Sequence, residues 1–365
     1  MPATATEGEH VVEFYLPLVW AILIATAVFL YVCMDGFDLG LGILFPWFRH
    51  KDDRDVMVNS VAPMWDGNET WLVLGGAGLF AVFPLAYATI FPALYMPLIL
   101  MLLALIFRGV SFEMRFKAHN ERAQTWWDRA FCWGSYVAGF CQGICLGALV
   151  QGIRVENRAY AGGWWDWLTP FSLLTGVALV VGYALLGACW LIWRTEGPLA
   201  ARARHMARRL GVATLGFIVV VSLIMPFQQS AFAARWFTLP WLALAAPVPI
   251  LVALFTWRFF RAIDFTETRE AQAAHDPTGR SFRWRDGAPF LYVLGWFFLS
   301  YTGLGISLWP NIVPPSISIW QAAASPASQL FLLVGASVLI PIILAYTAYV
   351  YWLFRGKVRV GEGYH

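Results

Sequence analysis

Charge is scarce in this sequence: Asp, Glu, Lys and Arg make up 13% of its 365 residues, against 59% hydrophobic, and the mean hydropathy is +0.62. A soluble core cannot hide that much apolar surface, which excludes an ordinary globular enzyme and predicts an all-α chain that crosses a membrane many times. Histidine is scarce too. The six copies (His10, His50, His119, His205, His275, His365) fall in predicted loops or tails, so no pair of spanning helices is expected to offer the facing imidazoles that hold a haem in a bilayer. Met34, Met64 or Met101 could be an axial ligand instead, but thioethers in apolar runs pack far more often than they ligate. The five cysteines (Cys33, Cys132, Cys141, Cys145, Cys189) sit in apolar runs without CxxC spacing, which predicts small packing groups rather than a metal centre. P-loop, Rossmann, HExxH and GxSxG signatures are missing. The stretch before Leu16 is acidic (Glu7, Glu9, Glu13) and lacks a signal peptide's basic region and cleavage site, so the first apolar run reads as a retained span.

Runs near the ~20 residues needed to cross a bilayer fall at about 14–46, 58–90, 93–107, 130–150, 167–193, 210–227, 237–257, 287–308 and 328–354. Pro92 makes the boundary between the second and third runs ambiguous, as a tight turn or as a kink in one helix. Charge placement decides. With nine spans and an external N-terminus, every one of the 25 Lys and Arg residues except Arg154, Arg158 and Arg235 falls on the inner side, as the enrichment of cytoplasmic loops in basic residues requires. Merging the second and third runs would scatter them over both sides. Nine helices, N-terminus out and C-terminus in, form one membrane domain, whose longest inner loop runs from about Arg258 to Asp286. The basic segments then read as topology signals and contacts for anionic lipid, not as nucleic-acid sites. Trp126, Trp127, Trp164, Trp165, Trp167, Trp236 and Trp241 near the span ends read as interface anchors.

Ionisable side chains inside an apolar span are functional candidates by default. Asp35 and Asp38 lie in Met34–Gly40 (MDGFDLG), and Asp66, Asn68 and Glu69 in Trp65–Trp71 (WDGNETW). Asp38 and Asp66 each stand 14 residues from Asp52, the centre of the intervening basic loop, so at ~1.5 Å per residue they are expected at matched depth near the cytoplasmic side. One hairpin thereby gathers up to four carboxyls in a small volume, where desolvation and repulsion oppose full ionisation and suit a group that takes up and releases protons. The plain alternative is a hydrogen-bonded network of Asp66, Asn68 and Asp38, with Asp35 and Trp65 as further structural polar members, that locks the hairpin or a seam between subunits. Gly36 and Gly40 permit close helix approach under either reading.

Met34–Gly40, Asn59–Leu72 (NSVAPMWDGNETWL), Phe107–Val110 (FRGV), Trp309–Ser316 and Ile340–Phe354 together resemble subunit 2 of the cytochrome bd-type quinol oxidases. Glu69, where many relatives have glutamine, resembles the cyanide-insensitive branch. The resemblance implies two four-helix bundles plus one peripheral helix in a bacterial inner membrane. It further implies a subunit 1 partner holding haems b and d, or b only, a quinol substrate, and small single-helix accessory subunits; some relatives also hold a structural quinone. By the same resemblance Asp66 is the leading proton-path residue, with Asp38 and Glu69 behind it. Two other classes of protein would use such a chain differently. A secondary transporter should show related segments in two halves around a midplane site, whereas this acidic cluster is confined to one hairpin near one face; a purely structural assembly subunit would tolerate loss of every carboxylate.

Overall fold

The computed structural model describes residues 7–273 and 284–361. His275, Arg280, Arg283 and His365 lie outside the described residues, as do the side chains of Glu7, Glu9, His10 and Arg269. Among the described residues, the regular structure is helical apart from two short hairpins. α1 (Glu7–Leu44) leads through a 3-10 turn into α2 (Lys51–Asn59), α3 (Trp65–Val82), α4 (Pro84–Ala93), α5 (Tyr95–Phe116) and α6 (Glu121–Gln151). The hairpin β1 (Val155–Glu156) and β2 (Ala159–Tyr160) precedes α7 (Pro170–Arg194), α8 (Gly197–Gln228), α9 (Ser230–Phe237), α10 (Trp241–Ala245) and α11 (Pro247–Ala273). α12 (Ala288–Leu308), the antiparallel pair β3 (Asn311–Val313) and β4 (Ile317–Ser318), α13 (Ile319–Ala322) and α14 (Pro326–Leu353) complete it.

Among the described residues, 8 helices are long and apolar enough to cross a membrane. α3 is not one of them, because its first turns carry Asp66, Asn68, Glu69 and Thr70. The run expected as one span over 58–90 is broken twice, each time by proline. Pro63 has no N–H to give to Asn59 and its ring crowds the carbonyl one turn back, and α2 stops at Asn59 with turns filling the interval to α3. Phe83, forced out of helical geometry by Pro84, takes φ −122 and ψ 60 and separates α3 from α4. Pro92 lies inside α4, and the chain turns at Leu94 instead. α4 packs with β2, β3 and α13 over a small apolar core that includes Phe83, Ala86, Ile90 and Trp167, at the end of the bundle remote from α2. Trp167 is thus buried, not the surface anchor expected; Trp126, Trp164 and Trp165 are exposed.

Several helices overrun the apolar stretches that announce them, since hydrogen bonding continues past the hydrocarbon while hydropathy does not. α5 continues through Arg108 and Arg115, and α8 begins thirteen residues before the expected 210, so that His205 belongs to a helix, on its exposed side, rather than to a loop. The inner loop expected from Arg258 is helix as far as Ala273.

α1 is the central element, packed against α7, α3 and α6. Its glycines set the spacing. A Cβ on Gly40 would lie 1.9 Å from the Tyr183 carbonyl oxygen, and one on Gly187 2.6 Å from the Gly40 carbonyl carbon, so α1 and α7 touch backbone to backbone as small-residue helix pairs in membranes do. Gly40→Ala is therefore expected to cost at least the ~1–3 kcal/mol of an overpacked core, read as a lower thermal midpoint of the purified protein. Gly67→Ala, where an added Cβ meets nothing within 4 Å, serves as the control. All five cysteines are free, and Cys145 alone is not fully buried.

Candidate functional site

Each carboxyl of the acidic hairpin is placed by a helix that has other reasons to exist. Asp35 and Asp38 stand one turn apart on α1, both with 0% exposure, and Asn68 and Glu69 sit in the first turns of α3. Facing them from α5 is Arg108, also fully buried. Its Nη2 donates to Asp35 Oδ1 at 2.7 Å and lies 3.6 Å from Asp38 Oδ2, and its Nη1 donates to Glu69 Oε1 at 2.6 Å. One guanidinium thus joins three carboxyls from α1 and α3. Burying an ion is tolerable only with such pairing, and the planar fork of arginine suits two acceptors at once. The Trp65 indole, stacked on Phe112 with ring centroids 4.9 Å apart, covers the guanidinium at 5.7 Å.

Asn68 fixes the second layer. Its Nδ2 donates to Asp38 Oδ2 at 2.7 Å and to the Met34 carbonyl at 3.3 Å, and its Oδ1 accepts from the Tyr351 hydroxyl of α14 at 2.9 Å. A string of polar groups joins the cluster at the Tyr31 hydroxyl, which stands one turn before Asp35 and interacts with its carboxyl. Tyr183 of α7 donates to Gln142 Oε1 of α6, and Gln142 Nε2 donates to the Tyr31 hydroxyl, each at 2.6 Å. Among the described residues, Asp35 Oδ2 and Asp38 Oδ1 are buried without a hydrogen-bond partner.

The expected gathering of acidic groups is present, but its members differ from those expected. Asp35, Asp38, Glu69, Asn68 and Trp65 come together; Asp66 does not. Asp66 is exposed, and its side chain makes no hydrogen bond or ion pair among the described residues. The depth match made with Asp38 belongs to Asn68, because the chain between α1 and α3 is a short helix and turns rather than continuous helix, so the register shifts by two residues. Arg108, expected on a basic inner loop, lies inside α5 and is the residue that sequence reasoning missed as part of the site. Its position directly after an apolar run was the available signal, since buried carboxyls require a countercharge somewhere.

A second ionic group ties the α1–α2 connection to α5 and α6. Arg54 Nη1 and Arg115 Nε donate to the two oxygens of Asp128 at 2.8 and 2.6 Å, while Asp55 lies 2.6 Å from Arg115 and from Lys51. No group of three or more His, Cys, Asp or Glu among the described residues is arranged to hold a metal ion. Met64 and Met101 are packed in the main apolar core.

The sequence matches the family described as Cytochrome bd terminal oxidase subunit II over residues 16–354. It is 30% identical to Cytochrome bd-I ubiquinol oxidase subunit 2 of Escherichia coli K12, over 94% of this chain and 95% of that protein. To Cytochrome bd ubiquinol oxidase subunit 2 of Bacillus subtilis it is 27% identical, over 94% of this chain and 97% of that protein. The fold is similar to a chain of the bd oxidase from Geobacillus thermodenitrificans, with a TM-score of 0.72 and 16% identity over 93% of this chain and 99% of that one. A family match that runs from the first helix into the residue after the last leaves one conclusion: the chain belongs to the cytochrome bd terminal oxidase subunit II family.

Proposed function

We propose that this subunit joins a haem-bearing subunit 1 in a bacterial inner membrane and carries protons inward for the reduction of dioxygen by quinol. Two quinols release four electrons and four protons, and dioxygen takes up four of each to give two waters. Electrons pass only through the partner, which holds haems b and d, or b only. The histidine distribution supports this. Of the histidines whose side chains are described, His50 and His119 lie between helices and only His205 stands on a spanning one, so these residues do not fit a bis-imidazole haem site.

One observation carries the proton reading: carboxyls are graded from the surface to the interior. Asp66 is exposed, the Glu69 side chain one turn on is 26% exposed, and Asp35 and Asp38 behind Arg108 are sealed. With every carboxyl ionised, the three acids and one guanidinium would carry a net −2 around a group of which only Glu69 has any exposure, and burying unpaired charge is costly. Asp35 Oδ2 and Asp38 Oδ1, buried without a hydrogen-bond partner, are the atoms at which a transferred proton would reside. Asp66, Glu69, Val73, Gly76 and Phe80 share one face of α3, with Val73 and Phe80 largely exposed. An apolar stripe that opens on two acids suits contact with subunit 1, and this face is proposed to stabilise it.

The same reading makes α3 the ninth span, outward-going between α1 and α5, in two four-helix bundles with one peripheral helix, N-terminus out and C-terminus in. Contacts between basic segments support it: Arg54 reaches Asp128, Arg202 reaches Asp53, and Lys357 reaches Thr195 and Asp286, gathering these segments at one end. With inside protons consumed and quinol protons released outside, turnover is electrogenic without a pump.

Asp66→Asn in the co-expressed complex tests the entry step. Oxygen consumption with saturating quinol is expected to fall roughly tenfold, less than the ~10²–10⁴-fold of a lost proton-transfer group because Glu69 remains one turn on, with haem content per complex unchanged. Wild-type turnover would leave this subunit as a scaffold.

A further inference from the structure

We infer that the cleft between the ends of α11 and α12 is a binding site for the phosphate headgroup of an anionic phospholipid. The cleft has a volume of about 280 Å³ and is lined by Arg258 and Arg261 of α11, Arg285 of the 3-10 turn before α12, the rings of Trp257 and Tyr292, and Ala288. Three guanidinium groups converge there, all exposed. Arg258 and Arg261 lean on the Trp257 ring at 5.2 and 4.4 Å, which holds them by cation–π attraction and leaves their N–H edges free to donate.

None of the three has an acidic partner among the described residues, a lack they share with Arg129, Arg209 and Arg355, but these three line one cleft. Other arginines at the same end face carboxylates: Arg54 and Arg115 reach Asp128, Arg202 reaches Asp53, and Arg208 reaches Asp264 and Glu267. The nearby acids are already engaged, since Asp264 and Glu267 lie with Arg208 and Asp286 with Lys357 at 3.3 Å. A positive cleft at a membrane interface, with a tryptophan and a tyrosine at headgroup depth and an alanine floor, matches a phosphodiester whose acyl chains continue down the exposed apolar surface of Leu251 and Leu254. Arginine forks favour phosphate over a neutral headgroup.

Native mass spectrometry of the purified two-subunit complex tests this. The wild-type complex, stripped in detergent and titrated with phosphatidylglycerol, is expected to retain one tightly held lipid that phosphatidylcholine does not replace and that inorganic phosphate displaces only at far higher concentration. Arg258→Gln/Arg261→Gln/Arg285→Gln should weaken that adduct on the order of a hundredfold, at about tenfold or less for each charge removed near the surface. Ala288→Trp, which fills the cleft without changing charge, should weaken it similarly, and Arg209→Gln at the same end should not. Equal retention in the triple variant and in Ala288→Trp would overturn the assignment, as would equal affinity for phosphatidylcholine. Full competition by inorganic phosphate at lipid concentrations would replace the lipid with a free-anion site. If the triple variant fails to assemble, Ala288→Trp alone decides.

Discussion

Replacing Arg108 by leucine is expected to remove the subunit, and with it the complex, from the membrane. Among the described residues, the guanidinium is the one cation within bonding distance of Asp35, Asp38 and Glu69. Without it, carboxyls in a sealed cavity must be neutralised or left as uncompensated charge, and breaking a buried pair in this way costs about 3–5 kcal/mol. Most domains are stable by only ~5–15 kcal/mol in total, so the loss should appear as absent subunit in an immunoblot of membranes and absent complex on purification. The decisive companion is Arg108→Gln with Asp35→Asn, Asp38→Asn and Glu69→Gln. Exchanging the ionic group for neutral hydrogen-bonding groups of similar shape should restore assembly while leaving turnover impaired. Normal assembly of Arg108→Leu alone would show that the cluster does not bear on folding.

Asp35→Asn with Asp38→Asn has the largest expected effect on turnover. Both side chains keep their shape, Arg108 keeps Glu69, and Asn68 keeps an oxygen to donate to, so assembly should survive. The change removes the two innermost sites at which a proton can reside. Quinol-supported oxygen consumption is expected to fall on the order of a hundredfold, the usual scale for a lost proton-transfer group, at unchanged haem content and with an enlarged solvent isotope effect. An assembled double variant that turns over normally would place the proton route elsewhere.

Much of this was readable before any coordinates. Two motifs, MDGFDLG and WDGNETW, put ionisable groups where hydrocarbon was expected, and of those groups Asp35, Asp38 and Glu69 meet while Asp66 does not. What could not be read was their partner. Arg108 follows fifteen apolar residues, where a basic residue ordinarily marks the membrane surface, and only the continuation of α5 to Phe116 shows it to be interior. Nor could hydropathy tell Asp66 from Asn68. The choice depends on how many residues between Phe45 and Trp65 are helical, and Pro63 shortens that helix. Breaks at Pro84 and Leu94 followed the same logic, because local backbone sterics, not apolar character, decide where a span ends.

On the proposed route, the string from Tyr183 through Gln142 to Tyr31 would limit where a proton can leave the cluster. Hydroxyls can pass a proton by accepting one and releasing another, but the Gln142 amide, held between two tyrosines, has no such exchange open to it at ordinary acidity. The string would then act as insulation toward α6 and α7. A proton at Asp35 would stay on the side of α1 that faces Arg108, and an amide in place of a carboxyl at position 142, glutamine rather than glutamate, would keep the far half of the bundle from becoming a leak.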